Sequence, residues 1–513
     1  MKAINRRSFM KNSAVVTGAL ALEQMSPGQW LSFAYAEPTG YFKSQFGITD
    51  ALCKRVLEQA LSKGGDFADL YFEHTISNWL DLEDDRVDRA YGNIKLGVGI
   101  RTVKGDQVGY GFTQEMDENS LLAAAATAAT IANSNGKSAA KKYVELKTPN
   151  YYPLETLLTD VPLESKLSLL QKVNKKCVNL SDLIIKVSAG FHDSQKRIMI
   201  VTSDGIKAED IQPRNFLYSF VVAEKDGKKE RASWNFGGRH DFSYYTNKVA
   251  NGVAEEAVQR ALVLFDAIQP PAGEMPVVLG PGITGILLHE AIGHGLEADF
   301  NRKKISTYSN MMGKKIAEPF VTIIDNGTNI NQLGTLNVDD EGVLSKKTVL
   351  VENGILKSYL HDKISAQHYH VEPTGNGRRE SYEHYPQPRM RNTYMLPGEH
   401  HPDEVIKSAK KGIYVEGVSN GEVKIGEGDF SFYVSQGRMI EDGKLTAPIK
   451  DVNIMGNGPE MLKNIKMIAH DLKFSEGGMG ACGKGGQAVP VSFGLPTCLV
   501  KSMTVGGLQK QGA

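Results

Sequence analysis

Cysteine is scarce in this chain. The four residues, Cys53, Cys177, Cys482 and Cys498, are too scattered among 513 for a disulfide scaffold. No C-x-x-C pair occurs, which excludes a zinc ribbon and a thioredoxin-like redox site. Net charge is lacking too, because 59 Lys and Arg balance 59 Asp and Glu. Phosphate contacts need a local basic excess, and no basic run supplies one, so nucleic-acid binding driven by bulk charge is excluded. No interior apolar run reaches the roughly 20 residues of a membrane span. What is present is an ordinary globular composition, 41% apolar and 23% charged. The length suits two or three domains of about 100–200 residues, large enough to bury cores without disulfide staples.

The first residues carry a twin arginine, Arg6-Arg7, followed by Phe9, Met10 and Lys11. A mildly apolar run occupies 13–22, and Ala34-Tyr35-Ala36 matches a small-x-small cleavage pattern. This anatomy predicts a twin-arginine export signal over residues 1–36 and a periplasmic mature protein, with the cytoplasm as the alternative.

Helical spacing of apolar residues predicts helices at 49–63, with Thr49 as N-cap, and at 121–132, 165–179 and 248–265. Strand-like alternation appears at 69–72, 95–102, 108–112, 184–190, 198–202 and 216–223, with a turn at 103–107. The order of helices and strands partly recurs, which suggests a weak internal duplication. The fold class predicted is α+β, with a mixed helix and antiparallel-sheet domain over 45–270. Pro270-Pro271-Ala272-Gly273 marks a linker. Beyond it, 275–513 reads as a β-rich domain with one main helix near its start, and short β-like runs at 320–324, 348–351, 412–415 and 488–493.

That helix carries the chemistry. Residues 286–300 read Ile-Leu-Leu-His289-Glu290-Ala-Ile-Gly-His294-Gly-Leu-Glu297-Ala-Asp-Phe. Zinc takes imidazole nitrogen readily, and catalytic sites commonly use three protein ligands plus water. Glu290, beside the first His, is placed to take that water's proton. In H-E-x-x-H, a gap of four residues separates the two His by about 40° around a helix. Here the gap is five, and a regular helix would set the rings about 140° apart. A single π-turn absorbs the extra residue, and Gly293 eases the backbone distortion. The helix is therefore predicted to be irregular between Glu290 and Gly295.

Two residues compete for the third ligand. Cys482 sits in a glycine-rich stretch, 474–487, where a metal can approach the backbone closely, and thiolate suits zinc. Glu297 lies near the second His. The same stretch matches G-x-x-x-x-G-K at 478–484, but Gly485 stands where a phosphate loop needs Ser or Thr, and the run Gly486 to Val491 looks extended rather than helical. Nucleotide binding is set aside on those grounds.

Three segments resemble the TldD/PmbA family, specifically its TldD branch. They are His289-Glu-Ala-Ile-Gly-His294 continuing to Lys303, Gly375-Asn-Gly-Arg-Arg-Glu-Ser-Tyr382 with Pro388-Arg-Met-Arg-Asn392-Thr-Tyr-Met395, and Gly477 to Gln487 around Cys482. The resemblance implies metallopeptidases with H-E-x-x-x-H and a distant Cys as third ligand, hence one zinc on His289, His294 and Cys482. It also implies an α+β N-terminal domain, a β-rich C-terminal domain and small or unfolded peptides as substrates. A homodimer, or a heterodimer with a PmbA-type subunit, is implied as well. Family members are usually cytoplasmic, and the apparent export signal departs from that. Glu290 is expected as general base of peptide hydrolysis. Arg378, Arg379, Tyr382, Arg389 and Asn392 are candidate peptide contacts, being able to bind carbonyls or steady an oxyanion. His368 and His370, two apart, are expected on one face of a surface strand. The competing class is a non-catalytic binding or scaffold protein stabilised by the metal, but a His₂Cys set leaves a vacancy that structural zinc sites do not.

Overall fold

A computed structural model describes residues 40–132, 140–424, 426–477 and 480–507. The expected signal at 1–36 lies outside them.

The N-terminal half is built as two similar units, each a helix, three antiparallel strands and a second helix, with one extra short helix opening the first. The first unit holds α1 (Tyr41–Phe46), α2 (Asp50–Ala60), β1 (Phe67–Glu83), β2 (Arg86–Lys104), β3 (Gln107–Thr113) and α3 (Glu118–Ala129). A two-residue strand, β4 (Val144–Glu145), comes next. The second unit holds α4 (Leu163–Leu180), β5 (Ile184–Thr202), β6 (Ile206–Lys225), β7 (Lys228–Gly238) and α5 (Asn247–Val263). The units join through antiparallel pairing of β1 with β5, giving the sheet order β3-β2-β1-β5-β6, with β4 and β7 both on β6. Two cores form, and each borrows from the other unit's central strand, Met199 and Val201 of β5 in one and Leu80 and Leu82 of β1 in the other. Leu52, Val56, Leu57, Leu121, Ala125 and Ala128 cover one end of the sheet, and Leu170, Val173, Ala254, Ala257 and Ala261 the other. Thr49 caps α2 by accepting from Leu52 N–H, as its position predicts.

The strands run far longer than alternation indicated. The expected strands at 184–190 and 198–202 are one continuous β5, because the polar stretch between them is paired on both sides, to β1 and to β6. Backbone pairing carries a strand through residues that no apolar pattern marks.

The C-terminal half is β-rich. Strands Gly412–Lys424, Gly273–Leu279, Cys498–Gly507, Val452–Asn457 and Asp429–Glu441 pair in that order, and the last returns to the first, so the sheet closes on itself. A six-stranded sheet contains Ile323–Asn326, Asn392–Met395 and Ser492–Leu495 among its strands. The segment 283–302 lies in the core of this half. Leu287, Leu288, Ile292 and Leu296 are buried with Val415, Phe432 and Val434 of the closed sheet. Each such side chain is worth about 1.5–3 kcal/mol of burial, which holds the opposite, polar face in place. His368 and His370 are not on a strand. His368 lies in the last turn of a short helix, Lys363–Tyr369, and His370 comes after it in the left-handed region at φ 55°; both are outside the buried core.

Candidate metal centre

The chain around the motif is tightened, widened and tightened again. A 3₁₀ turn at Ile283–Gly285 leads into one α turn, Ile286–Leu288. A π-helical stretch then runs His289–Gly293, and a further 3₁₀ turn runs His294–Leu296. The His294 N–H reaches back to the His289 carbonyl, the five-residue bond of a π-turn. This turn brings the two imidazoles to 5.1 Å between ring centroids, with planes at 83°. Gly293 has an ordinary helical φ of −56°, so conformational freedom is not its role. A Cβ there would overlap the Met390 sulfur, and close packing is what requires glycine.

Cys482 arrives from a hairpin. Strand Ala481–Lys484 pairs with Gln487–Pro490, and the turn between them places Gly485 at φ 57° and Gly486 at φ 75°. Two successive positive φ values define a type I′ hairpin turn, which favours the Gly-Gly found here. This geometry also disposes of the phosphate-loop pattern, since a hairpin offers no helix N-terminus.

Nitrogen and sulfur atoms of His289, His294 and Cys482 lie within 4.8 Å of one another, and all three residues are buried. Cys482 Sγ is 3.2 Å from His294 Nε2. Burial alone would raise the thiol's pKa, but the adjacent His289 and His294 outweigh it and hold it well below the ordinary thiol value. Burial disfavours an imidazolium at His294, yet Glu297 and Cys482 outweigh it and push its pKa well above the usual value. The donor set, two imidazoles and an acidified thiol, fits a borderline-soft divalent ion such as zinc. Glu290, in the first turn of the π-stretch, stands at the less enclosed side, with its side chain 18% exposed and Oε2 3.8 Å from His294 Nε2.

Glu297, the rival third ligand, lies behind His294. Its Oε2 is 3.1 Å from Nδ1, on the side of the ring away from Cys482. Burial would raise its pKa, but Lys484, His294 and Arg389 bring it down to about 2. Sequence reasoning weighed Glu297 only as a ligand and missed Lys484 as a neighbour. A signal was present, because Cys482 and Lys484 are two apart on a strand and share its buried face.

The five expected peptide contacts are corrected by the structure, which buries all of them. Arg379 is enclosed between Asp69 Oδ1 at 3.1 Å and the Asp340 carbonyl at 2.9 Å. Arg378 donates to the Met390 carbonyl, and the Tyr382 hydroxyl accepts from Gln114. Asn392 donates to the Asn326 carbonyl and Thr335. Arg389 donates to the carbonyls of Cys482 and Gln487, so it braces the cysteine hairpin. A run of Arg, Tyr and Asn reads as an exposed binding loop, but here it is buried and held by the contacts just given.

Comparison with known proteins gives a consistent result. Family models match residues 68–132 as PmbA/TldA metallopeptidase domain 1, 157–265 as the central domain and 272–507 as the C-terminal domain. The sheet of the N-terminal half crosses the boundary between the first two. The metalloprotease TldD homolog of Haemophilus influenzae is 40% identical over 456 residues, 86% of this chain and 93% of its own. That of Buchnera aphidicola subsp. Acyrthosiphon pisum is 39% identical over 463 residues, 88% of this chain and 95% of its own. The zinc metalloprotease TldD homolog of Saccharolobus solfataricus is 28% identical over 456 residues, with coverages of 88% and 99%. Among solved structures, TldE from Thermococcus kodakarensis superposes with a TM-score of 0.69 at 18% identity, covering 89% of this chain and all of its own. A Thermotoga maritima protein described as a candidate modulator of a DNA gyrase gives 0.72 at 22% identity, with the same coverages. At such identities the likeness speaks for the fold.

These matches overturn the export reading. The Buchnera relative is paired over 95% of its own length by 88% of this chain, and it is named a metalloprotease TldD homolog. The apolar run at 13–22 is closed at once by Glu23 and forms no apolar span. The twin-arginine signal and periplasmic location are withdrawn. Among the described residues, no helix is long and apolar enough to cross a membrane.

Proposed function

The chain belongs to the PmbA/TldD metallopeptidase family, and on that premise we propose that it is a zinc-dependent peptidase acting on small or unfolded peptides. The observation that carries this is the convergence of His289, His294 and Cys482, brought together by a π-turn and a distant hairpin. These three would hold the ion. A bound zinc supplies Lewis acidity and lowers the pKa of a water to about 7.

The rest falls to the chain. Glu290 faces the less buried side of the cluster, accepts the proton released by the attacking water and hands it to the departing amine. The packed core beneath the motif keeps Glu290 and the three donors in fixed relation, so little reorganisation is needed at reaction. Pairing with a second copy or a PmbA-type subunit is part of the same proposal, and light scattering of the purified chain with and without that partner tests it.

The decisive experiment is Glu290→Gln, followed by metal analysis and cleavage of an unfolded peptide. Zinc content is expected to stay near that of the parent while cleavage falls by about 10²–10⁴-fold, the usual worth of a general base. Undiminished cleavage removes Glu290 from the mechanism.

A further inference from the structure

We propose that Glu297 is a positioning residue for the metal centre, and that Lys484 ties it to the hairpin that delivers Cys482. The proposal rests on the metal-site reading above and assigns roles to two residues that reading does not use.

Glu297 is fully buried. Its Oε2 lies 3.1 Å from His294 Nδ1 and 3.1 Å from Lys484 Nζ, and its Oε1 lies 3.7 Å from Arg389 Nε. A carboxylate held between two cations stays ionised and can only accept, so the ring nitrogen facing it must donate. That assigns the proton of a neutral His294 to Nδ1 and leaves Nε2, the nitrogen 3.2 Å from Cys482 Sγ, with its lone pair free. The carboxylate thus sets both the tautomer and the tilt of the ring, which is how outer carboxylates tune metal-binding histidines. His289 has no such brace, because its Nδ1 is buried without a hydrogen-bond partner among the described residues.

Lys484 buries its ammonium inside the protein, donating to Asp299 and to the Pro388 carbonyl and pairing by charge with Glu297. It reaches Glu297 Oε2, Asp299 Oδ1 at 2.7 Å and the Pro388 carbonyl at 3.0 Å, and its side chain is only 5% exposed. Its charge is already matched by two carboxylates, so the lysine of the G-x-x-x-x-G-K pattern acts as an internal tie. Arg389 grips the same hairpin through the Cys482 and Gln487 carbonyls. The carboxylate that orients one ligand therefore anchors the strand carrying another. Two donors from segments 188 residues apart in sequence are held in register by one buried ion cluster.

The test uses the full chain, with Zn²⁺ affinity from chelator competition and the visible spectrum of the Co²⁺ form. Glu297→Gln is expected to weaken Zn²⁺ binding about 10–100-fold and to shift the Co²⁺ bands, while the metal-free variant still melts cooperatively. Lys484→Met should weaken binding too, and the double variant should be little worse than the weaker single one, as linked residues require. Affinity within about threefold of the parent and an unchanged Co²⁺ spectrum overturn the positioning role. Simple additivity of the two losses overturns the tie. Should Glu297→Gln fail to fold, Lys484→Met carries the test, and parental affinity there overturns the proposal. A parent chain that takes up neither metal sinks the metal-site reading itself, whereas uptake by the parent with indifferent variants sinks only this proposal.

Discussion

Two of the buried polar clusters among the described residues are composed differently. One joins the N-terminal sheet to the C-terminal half. Arg101 Nη2 meets Asp69 Oδ2 at 2.5 Å and Glu341 Oε1 at 2.7 Å, and Arg379 Nη2 reaches Asp69 Oδ1 at 3.1 Å, with every side chain at 0% exposure. Two guanidinium forks meet two carboxylates, so positive and negative groups match within the cluster. The other gathers two imidazoles and a thiol, three groups able to turn a lone pair toward one point, with no arginine or lysine among the three. Balanced charge marks a structural joint, whereas a surplus of converging lone pairs marks a place for an ion. Burial is the same in both, and only the donor count tells them apart.

That contrast can be broken by experiment. The largest effect is expected from Cys482→Ala, which removes one of three donors. Zinc affinity should fall by more than the roughly 10–100-fold of an outer partner, and peptide cleavage should vanish with it. Near-stoichiometric zinc in this variant, by elemental analysis, would take Cys482 out of the centre. Next comes Arg101→Met. It strands Glu341 and leaves Asp69 with Arg379 alone, at an expected cost of about 3–5 kcal/mol in urea unfolding. The folded fraction should keep its metal, and parallel loss of metal would show that the two clusters are not independent.

The smallest effect is one of pH. Burial, reinforced by the charge of Glu341, raises Asp339 to about 7 and Asp362 to about 6. Between the ordinary carboxylate value and these, the folded chain binds more protons than the unfolded one. Their contribution therefore falls as pH rises from about 4 to about 7. Urea midpoints of the metal-free protein across that window should show it, and Asp339→Asn should flatten the slope. An unaltered slope would place the titration elsewhere.

Local chemistry was legible where one short segment holds the whole message. The five-residue gap between His289 and His294 demanded a π-turn, and the turn is there. The helices of the N-terminal half appear within a few residues of their expected bounds, because apolar spacing and caps such as Thr49 are local signals. The long strands were not legible, since β5 runs through a polar stretch that only its neighbours hold extended. Nor was the fate of Arg378, Arg379, Tyr382, Arg389 and Asn392. An arginine looks the same in sequence whether it meets a substrate or a buried carbonyl. Gly293 was noticed for the wrong reason, because the sulfur that excludes a side chain there belongs to Met390, far along the chain.

The sequence by itself determined the donor types, the irregular helix and the carboxylate beside the first histidine, because each is written within a few consecutive residues. Tertiary structure alone decided that Cys482 meets His294, that Glu297 stands behind the ring and that Lys484 holds the hairpin to it. The contacts of Cys482 and Lys484 join segments separated by most of a domain, whereas Glu297 lies only three residues from His294. Their free energy comes from burying matched polar groups together, which no stretch of residues can express until the chain has closed around it.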